Sequence, residues 1–513
     1  MLHGSSAVRH ALGLQRTQVL PDLTKIPPDL YRQAWAMLTK VPEGFHIDSK
    51  KEIARWFFGA LGIVLACTFL GKLWDLLLPP NKGQRIPRWV VTMVVSSYIL
   101  MFPGIIYPVI TVDVHVTDPK SGLTLPAFAT FMNYPGDVLN ESMWGIIKLL
   151  FPGPASFLVG FYGLVVPAIK FVLFAKILKL KEFSKRTAET TASLRYNVSW
   201  LRFVSKWDSP KLFAYVVLLE LFGMVSHEPE VHSRPILNKG FALYLVFSIG
   251  TLLASVAIPD DVRSLIPGST IDDLQEVDET SETTPAADAA AVTPKPEKKE
   301  ATTPTFFWLF GERHMLPVTL GLLLVFLIAL SLALCMNLFS MTYKPKYWLM
   351  GPYEESFKAL GVPETGGASG MGRIMGKALT RLESLDVSAV MCTLLIVIFT
   401  LGFTCLDMFA LTIASYHVSR SVDQEKDVKK ERWARALKFV KFAHLYQFLS
   451  MLDVFIVGSV VSMITTLASL AGAGFYLSFD RGMIFVFLAE GIHIMTHVAV
   501  SNFINEKCEQ PAT

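Results

Sequence analysis

The chain is poor in cysteine and in charge. It has five cysteines in 513 residues; Cys67, Cys335, Cys392 and Cys405 sit in apolar runs and Cys508 lies near the end. No Cys-x-x-Cys pair occurs, so neither a zinc ribbon nor a disulfide framework is indicated, and these side chains read as small core hydrophobes. Only 18% of residues are charged and the net charge is +4, too little of one sign to argue for nucleic acid. Walker loop, dinucleotide fingerprint and nucleophile elbow are all missing, which argues against an enzyme. The chain does not open on an apolar stretch, so a cleaved secretory signal is not expected. Residues 1–21 hold Arg9 and Arg16 and no acid before Asp22; they read equally as an organellar transit peptide or a plain tail.

Apolar residues are abundant instead. They make up 52% of the chain and gather in runs of about 20, the length a helix needs to cross a bilayer core. The expected fold is an all-α polytopic membrane protein of two tandem four-helix transmembrane units, parallel repeats with small extramembrane β elements. A tail (1–53) precedes an extra helix at 54–80 that either spans or lies at the interface, with Lys72, Trp74 and Asp75 at headgroup depth. Pro79-Pro80 stops it. The first unit (85–258) holds Ile86–Val112, Ala155–Leu180, a short Pro210–Val225 and Lys239–Ile258. An acidic linker (259–304), rich in Thr, Ala and Pro, reads as disordered. The second unit (305–505) holds Met315–Tyr343, Val387–Tyr416, a helix from His444 to Leu470 and one from Asp480 to Phe503; 506–513 is a tail.

The duplication is read from register. Positions 242 apart (157 and 399, 213 and 455) match as Phe with Phe, and the same spacing carries Gly160 to Gly402 and Lys239-Gly240 to Arg481-Gly482. A shared register across three helices without a gap points to a repeat. Lys181, Lys185, Arg186, Arg195, Arg202 and Lys206 lie between the second and third helices. Arg420, Lys426, Lys429, Lys430, Arg432, Arg435, Lys438 and Lys441 hold the matching place. Both loops belong on the cytoplasmic or matrix side, and the polar excursions opposite.

Ionisable groups within a membrane span are expensive and read as functional by default. Glu490, His493 and His497 fall at i, i+3 and i+7 on the last helix, one face, with Thr496 beside His493. Asp453 lies on the preceding helix. Three readings compete. One is a polar network that binds a proton or a lipid headgroup. Another is a set of interhelical hydrogen bonds that hold the bundle. The third is a metal site, Glu-x-x-His plus a second His completed from another helix. The network is preferred, and no metal or cofactor is assigned. The first-unit counterparts are Ser248, Thr251, Ala254 and Ser255; Lys211 stands for Asp453, and Glu220 appears where the second unit has Ser462. The first face is therefore expected not to ionise, leaving one active half and one supporting half.

Leu449-Ser450-Met451-Leu452-Asp453-Val454-Phe455 resembles the Trp-Ser-Met-Leu-Asp-Val-Phe signature of the paraquat-inducible protein A (PqiA/LetA-like) membrane family. Trp207 to Phe213 keeps the Trp and the Phe of that signature. Thr496, seven residues before Phe503, is similar to the family's last helix. The chain lacks the family's zinc-ribbon cysteines, its Phe-Asp-Pro-Arg ending is here Phe503-Ile-Asn-Glu, and a Lys common late in the third helix falls near Thr465 or Thr466. The resemblance covers roughly residues 85–505. It implies tetraspanin-like units in a phospholipid-transport subunit, a partner of MCE-domain proteins, in a bacterial or mitochondrial inner membrane. By the resemblance, Asp453, Ser450 and Thr496 belong to the second unit's polar network. The alternative is a non-transporting structural subunit of a larger membrane complex.

Overall fold

Apolar runs in lipid fold into helices because each backbone N–H and C=O must then be satisfied within its own segment. In the computed structural model, eight helical stretches among the described residues are long and apolar enough to cross a membrane: Lys51–Leu77, Arg88–Ile106, Pro154–Leu180, Lys239–Ala257, Gly311–Cys335, Val387–Ser419, Val428–Ile464 and Arg481–Lys507. The chain is a mostly helical, multi-pass membrane protein with two small sheets. The structure describes residues 50–77, 86–117, 124–126, 138–183, 188–224, 231–258, 311–343, 366–382, 387–422, 424–470 and 475–509. The expectations for the N-terminal tail before residue 50, for Pro79-Pro80 and for the linker 259–304 lie outside them.

Helix α1 (Lys50–Leu77) leads to α2 (Arg88–Ile106), then to strands β1 (Pro108–Thr117), β2 (Thr124–Pro126) and β3 (Leu139–Ser142). A short helix α3 (Met143–Leu150) follows, capped by the Ser142 hydroxyl accepting from the Gly145 amide at 3.0 Å. The second span runs through α4 (Pro154–Gly160), a π-helical turn (Phe161–Val165) and α5 (Val166–Phe183). Next come α6 (Ala188–Lys206), α7 (Pro210–Met224), β4 (Val231–Leu237) and α8 (Lys239–Ala257). β1 is the hub of the first sheet, antiparallel to β2, β3 and β4.

From residue 311 a similar though not identical order is described: α9 (Gly311–Cys335), β5 (Phe339–Tyr343), β6 (Gly366–Ser369), α10 (Met371–Leu382), α11 (Val387–Thr393), a π-helical segment (Leu394–Gly402), α12 (Phe403–Ser419), α13 (Lys426–Leu449), α14 (Leu452–Leu470), β7 (Phe475–Phe479) and α15 (Arg481–Glu509). β5 is the centre of the second sheet. In both halves the strand after the first span pairs with the strand before the last. The Asn238 amide donates to the Val109 carbonyl at 3.0 Å, and the Asp480 amide to the Leu338 carbonyl at 2.9 Å. Gly240 rests against the carbonyls of Tyr107 and Pro108, as Gly482 does against those of Met336 and Asn337. At either place a side chain would drive into backbone, so glycine is required by close approach.

The first spans of the two units end earlier than expected, at Ile106 and Cys335 rather than Val112 and Tyr343, because the chain there turns into strands β1 and β5. Three further features differ from the sequence expectation. The basic segments are helices, α6 and α13, rather than loops: Ala, Glu, Lys, Arg and Leu favour helix, and each packs against the span before it. The helix beginning at His444 does not run on to Leu470. It stops at Ser450, whose backbone is extended (ψ 128°), and the Met451 amide donates to the Phe399 carbonyl at 3.0 Å. Phe399 lies in the π-helical segment, where irregular backbone bonding leaves a carbonyl for this purpose. The last helix continues past residue 505 to Glu509.

All described residues lie in one compact unit, and its halves meet along α7 and α14. Phe213 and Phe455 cross edge to face with centroids 5.8 Å apart. A Cβ added to Gly458 would lie 2.5 Å from the Pro210 carbonyl oxygen and 2.6 Å from Phe213 Cβ.

Candidate functional site

Asp407 is the centre of the second half's polar site. It is the only Asp, Glu, Lys or Arg between Val387 and Ser419, and α12 turns its side chain fully inward. His493 Nε2 lies 2.8 Å from Asp407 Oδ2, and His497 Nδ1 lies 2.9 Å from the same oxygen. His493 Nδ1 reaches Glu490 Oε2 at 3.2 Å, and His497 Nε2 reaches His444 Nδ1 at 3.0 Å. Three helices thus build one continuous chain: Glu490, His493, Asp407, His497, His444. Glu490, His493, Asp407 and His497 are buried, and His444 on α13 is partly exposed. Phe326, itself fully buried, stands beside the His493 ring.

The proton count of this chain is informative. A carboxylate only accepts, and a neutral imidazole donates from one nitrogen. The four contacts need one proton each, and three neutral imidazoles supply three. The chain closes only when one further proton is resident; without it, one contact has two acceptors face to face. Each contact passes through a group that both gains and gives protons, so the arrangement can hold a proton and hand it along.

Glu490, His493 and His497 come together as the sequence predicts. The other three candidates do not join them. Asp453 sits in the first turn of α14, accepts from the Val454 amide at 2.8 Å and pairs with Lys206 of the first half at 3.0 Å. A carboxylate at a helix N-terminus is favoured by the helix dipole, so the break at Ser450 gives Asp453 a local role and turns it away from the histidines. Ser450 Oγ shares a 2.6 Å hydrogen bond with Thr404 Oγ1. Thr496 donates back to the Ile492 carbonyl at 2.7 Å. Sequence reasoning missed Asp407 and His444. The signal for Asp407 was a lone carboxylate in an apolar run; His444 was masked by the basic residues before it.

The first half's face of Ser248 and Thr251 has no ionisable group of its own, but an ion pair from other elements meets it. Lys170 on α5 is fully buried and donates to Asp208 Oδ2 at 2.7 Å and to Thr251 Oγ1 at 2.7 Å. Ser248 donates to Asp208 Oδ1 at 2.7 Å and lies 2.8 Å from Ser209 Oγ. Ser248 and Thr251 therefore do line a polar site, formed around an ion pair that the register comparison did not include. Lys211 is buried with its Nζ over the Tyr244 ring, 3.2 Å from the centroid, and does not meet Glu220. Glu220 instead accepts from Ser369 of the second half at 3.1 Å.

Among the described residues, no group of three or more His, Cys, Asp or Glu side chains is arranged to hold a metal ion. The second half's donors are instead turned toward one another. No protein-family model, curated protein or solved structure matches this chain. The likeness to the PqiA/LetA-like family thus rests only on the residues quoted for it; residues 449–455 among them span the break at Ser450.

Proposed function

We propose that this chain is a membrane subunit of a lipid-transport system, built as a duplicated pair of tetraspanin-like four-helix units, in which the Asp407 chain takes up and passes a proton. The single observation that carries the proton step is the closed run of hydrogen bonds from partly exposed His444 to buried Glu490. Losing one proton breaks one of four contacts among α12, α13 and α15, so protonation acts on how these helices pack. His444 lies on the strongly basic helix, and the excess of Lys and Arg supports placing that end on the cytoplasmic or matrix side. The similar element order, the paired glycines at 240 and 482 and the matched strand pairing support the duplication. Phospholipid as cargo, an MCE-domain protein as partner and an inner membrane as location come from the family resemblance. The reading is of a carrier rather than an enzyme.

The test uses the full chain in phospholipid vesicles with a headgroup-labelled fluorescent phospholipid. Transfer to acceptor vesicles should respond to an imposed pH difference, and Asp407→Asn should abolish that response. Transfer that is equally pH-responsive in Asp407→Asn would remove the relay from the mechanism.

One observation favours a second reading, the structural subunit. The seam between α7 and α14 is filled by Phe213, Phe455 and the backbone around Gly458, so an acyl chain has no room there in this state. A scaffold would keep its partners at fixed stoichiometry in both wild type and Asp407→Asn, with no lipid transfer by either.

A further inference from the structure

The first half buries two ammonium groups with one carboxylate. Lys170, Asp208 and Lys211 are 0%, 0% and 1% exposed. Asp208 is engaged at both oxygens: Oδ2 accepts from Lys170, and Oδ1 accepts from Ser248 and Ser209. Among the described residues, Asp208 and Lys170 are the charged groups within electrostatic range of Lys211. Lys170 and Asp208 neutralise each other, so this core carries one positive charge over, on Lys211.

Hydrogen-bond donors are in surplus at the same place. An ammonium has three donors and no acceptor. Lys211 Nζ meets the Met143 thioether sulfur, a weak acceptor, at 3.5 Å and lies over the Tyr244 ring. Among the described residues no oxygen accepts from it. Lys211 and Tyr215, four residues apart on one face of α7, meet Tyr244 and Phe241 of α8. The Tyr215 and Tyr244 hydroxyls are buried, within electrostatic range of each other, and without a hydrogen-bond partner among the described residues. Tyr98, also nearby, is already satisfied: its hydroxyl donates to the Pro167 carbonyl at 2.9 Å. The π-helical turn of the second span brings Gly163 beside the ammonium. A Cβ there would lie 3.3 Å from Lys211 Nζ and 2.8 Å from Met143 Sδ, so glycine keeps that side of Nζ clear.

Buried donors cost free energy unless an acceptor meets them, and an unpaired buried charge costs more. Water brings donors as well as acceptors and carries no charge. An anion only accepts, and it also cancels the charge left over. We propose that the first half binds a small inorganic monoanion, of the chloride class, between the Lys211 ammonium and the Tyr215 and Tyr244 hydroxyls. Met143 and the Tyr244 ring enclose the ammonium closely, which restricts the ligand to a small ion. The proposal rests on the charge and donor count of the first half, and not on the Asp407 relay or on lipid as cargo.

The test equilibrates the full chain in detergent at fixed pH and ionic strength while sodium chloride replaces sodium gluconate stepwise. Chloride should stabilise the native state saturably. At about a hundred times its Kd, the unfolding equilibrium constant should fall about a hundredfold. Lys211→Met replaces a buried cation by an apolar side chain of similar length, a change that buried charges often tolerate, and should remove the chloride dependence. Tyr215→Phe combined with Tyr244→Phe keeps both rings and the ammonium, and should raise the Kd roughly tenfold; this pair decides alone if Lys211→Met does not fold. Equal stability in chloride and gluconate overturns the proposal. So does a chloride effect that survives Lys211→Met or is unchanged in the double Phe variant. Either outcome leaves the Asp407→Asn result standing, because that variant is read by lipid transfer under a pH difference.

Discussion

Phe213 and Phe455 meet ring to ring across the seam between the halves, edge to face at 86°. They occupy matching places in the two halves, each two residues after a buried or half-buried charge, Lys211 or Asp453. The contact is between positions 242 residues apart, the offset at which the two stretches match in sequence. Beside it, Lys206 of the first half pairs with Asp453 of the second at 3.0 Å, and Arg202 lies over the Phe448 ring at 5.4 Å.

The two carboxylates of the second half should respond very differently to removal. Asp407→Ala strips a buried acceptor from two histidines, and breaking a buried charged contact costs roughly 3–5 kcal/mol. Asp453→Ala removes an ion pair that is partly solvated at both ends, worth about 1 kcal/mol or less and weakened by salt. Chemical unfolding of both variants in the same detergent should rank them in that order; equal losses would refute the placement of Asp407 at the centre.

Lys170 and Asp208 should behave as one unit. Lys170→Met leaves the Asp208 carboxylate buried without its cation and should cost roughly 3–5 kcal/mol. Adding Asp208→Asn should recover part of that loss, giving a coupling energy of about 1–3 kcal/mol in a double-mutant cycle. Strict additivity would mean the two side chains do not share a site.

Gly458 should not tolerate a side chain. Gly458→Leu pushes atoms into the Pro210 carbonyl and Phe213, and overpacking of this kind costs about 1–3 kcal/mol. Gly62→Ala, where the added Cβ meets nothing, should be neutral or stabilising by up to about 1 kcal/mol through helix propensity. Thermal midpoints of the two variants measure the contrast; a silent Gly458→Leu would show that the halves do not touch there.

The sequence by itself determined that this chain crosses a membrane several times, that its strands are few and small, and that Glu490, His493 and His497 share a helix face. Those properties depend on hydrophobic length and on the 3.6-residue period, which are local and survive without knowledge of any neighbour. Tertiary structure alone decided which of the polar groups meet. Asp407 reaches the histidines because α12 packs against α15, and Asp453 leaves them because Met451 bonds to a carbonyl on another helix. Lys170 and Asp208, 38 residues apart, pair for the same reason. A charge buried in lipid takes whichever partner the packing of the helices brings within hydrogen-bond reach, and that partner is set by contacts between segments rather than by spacing within one.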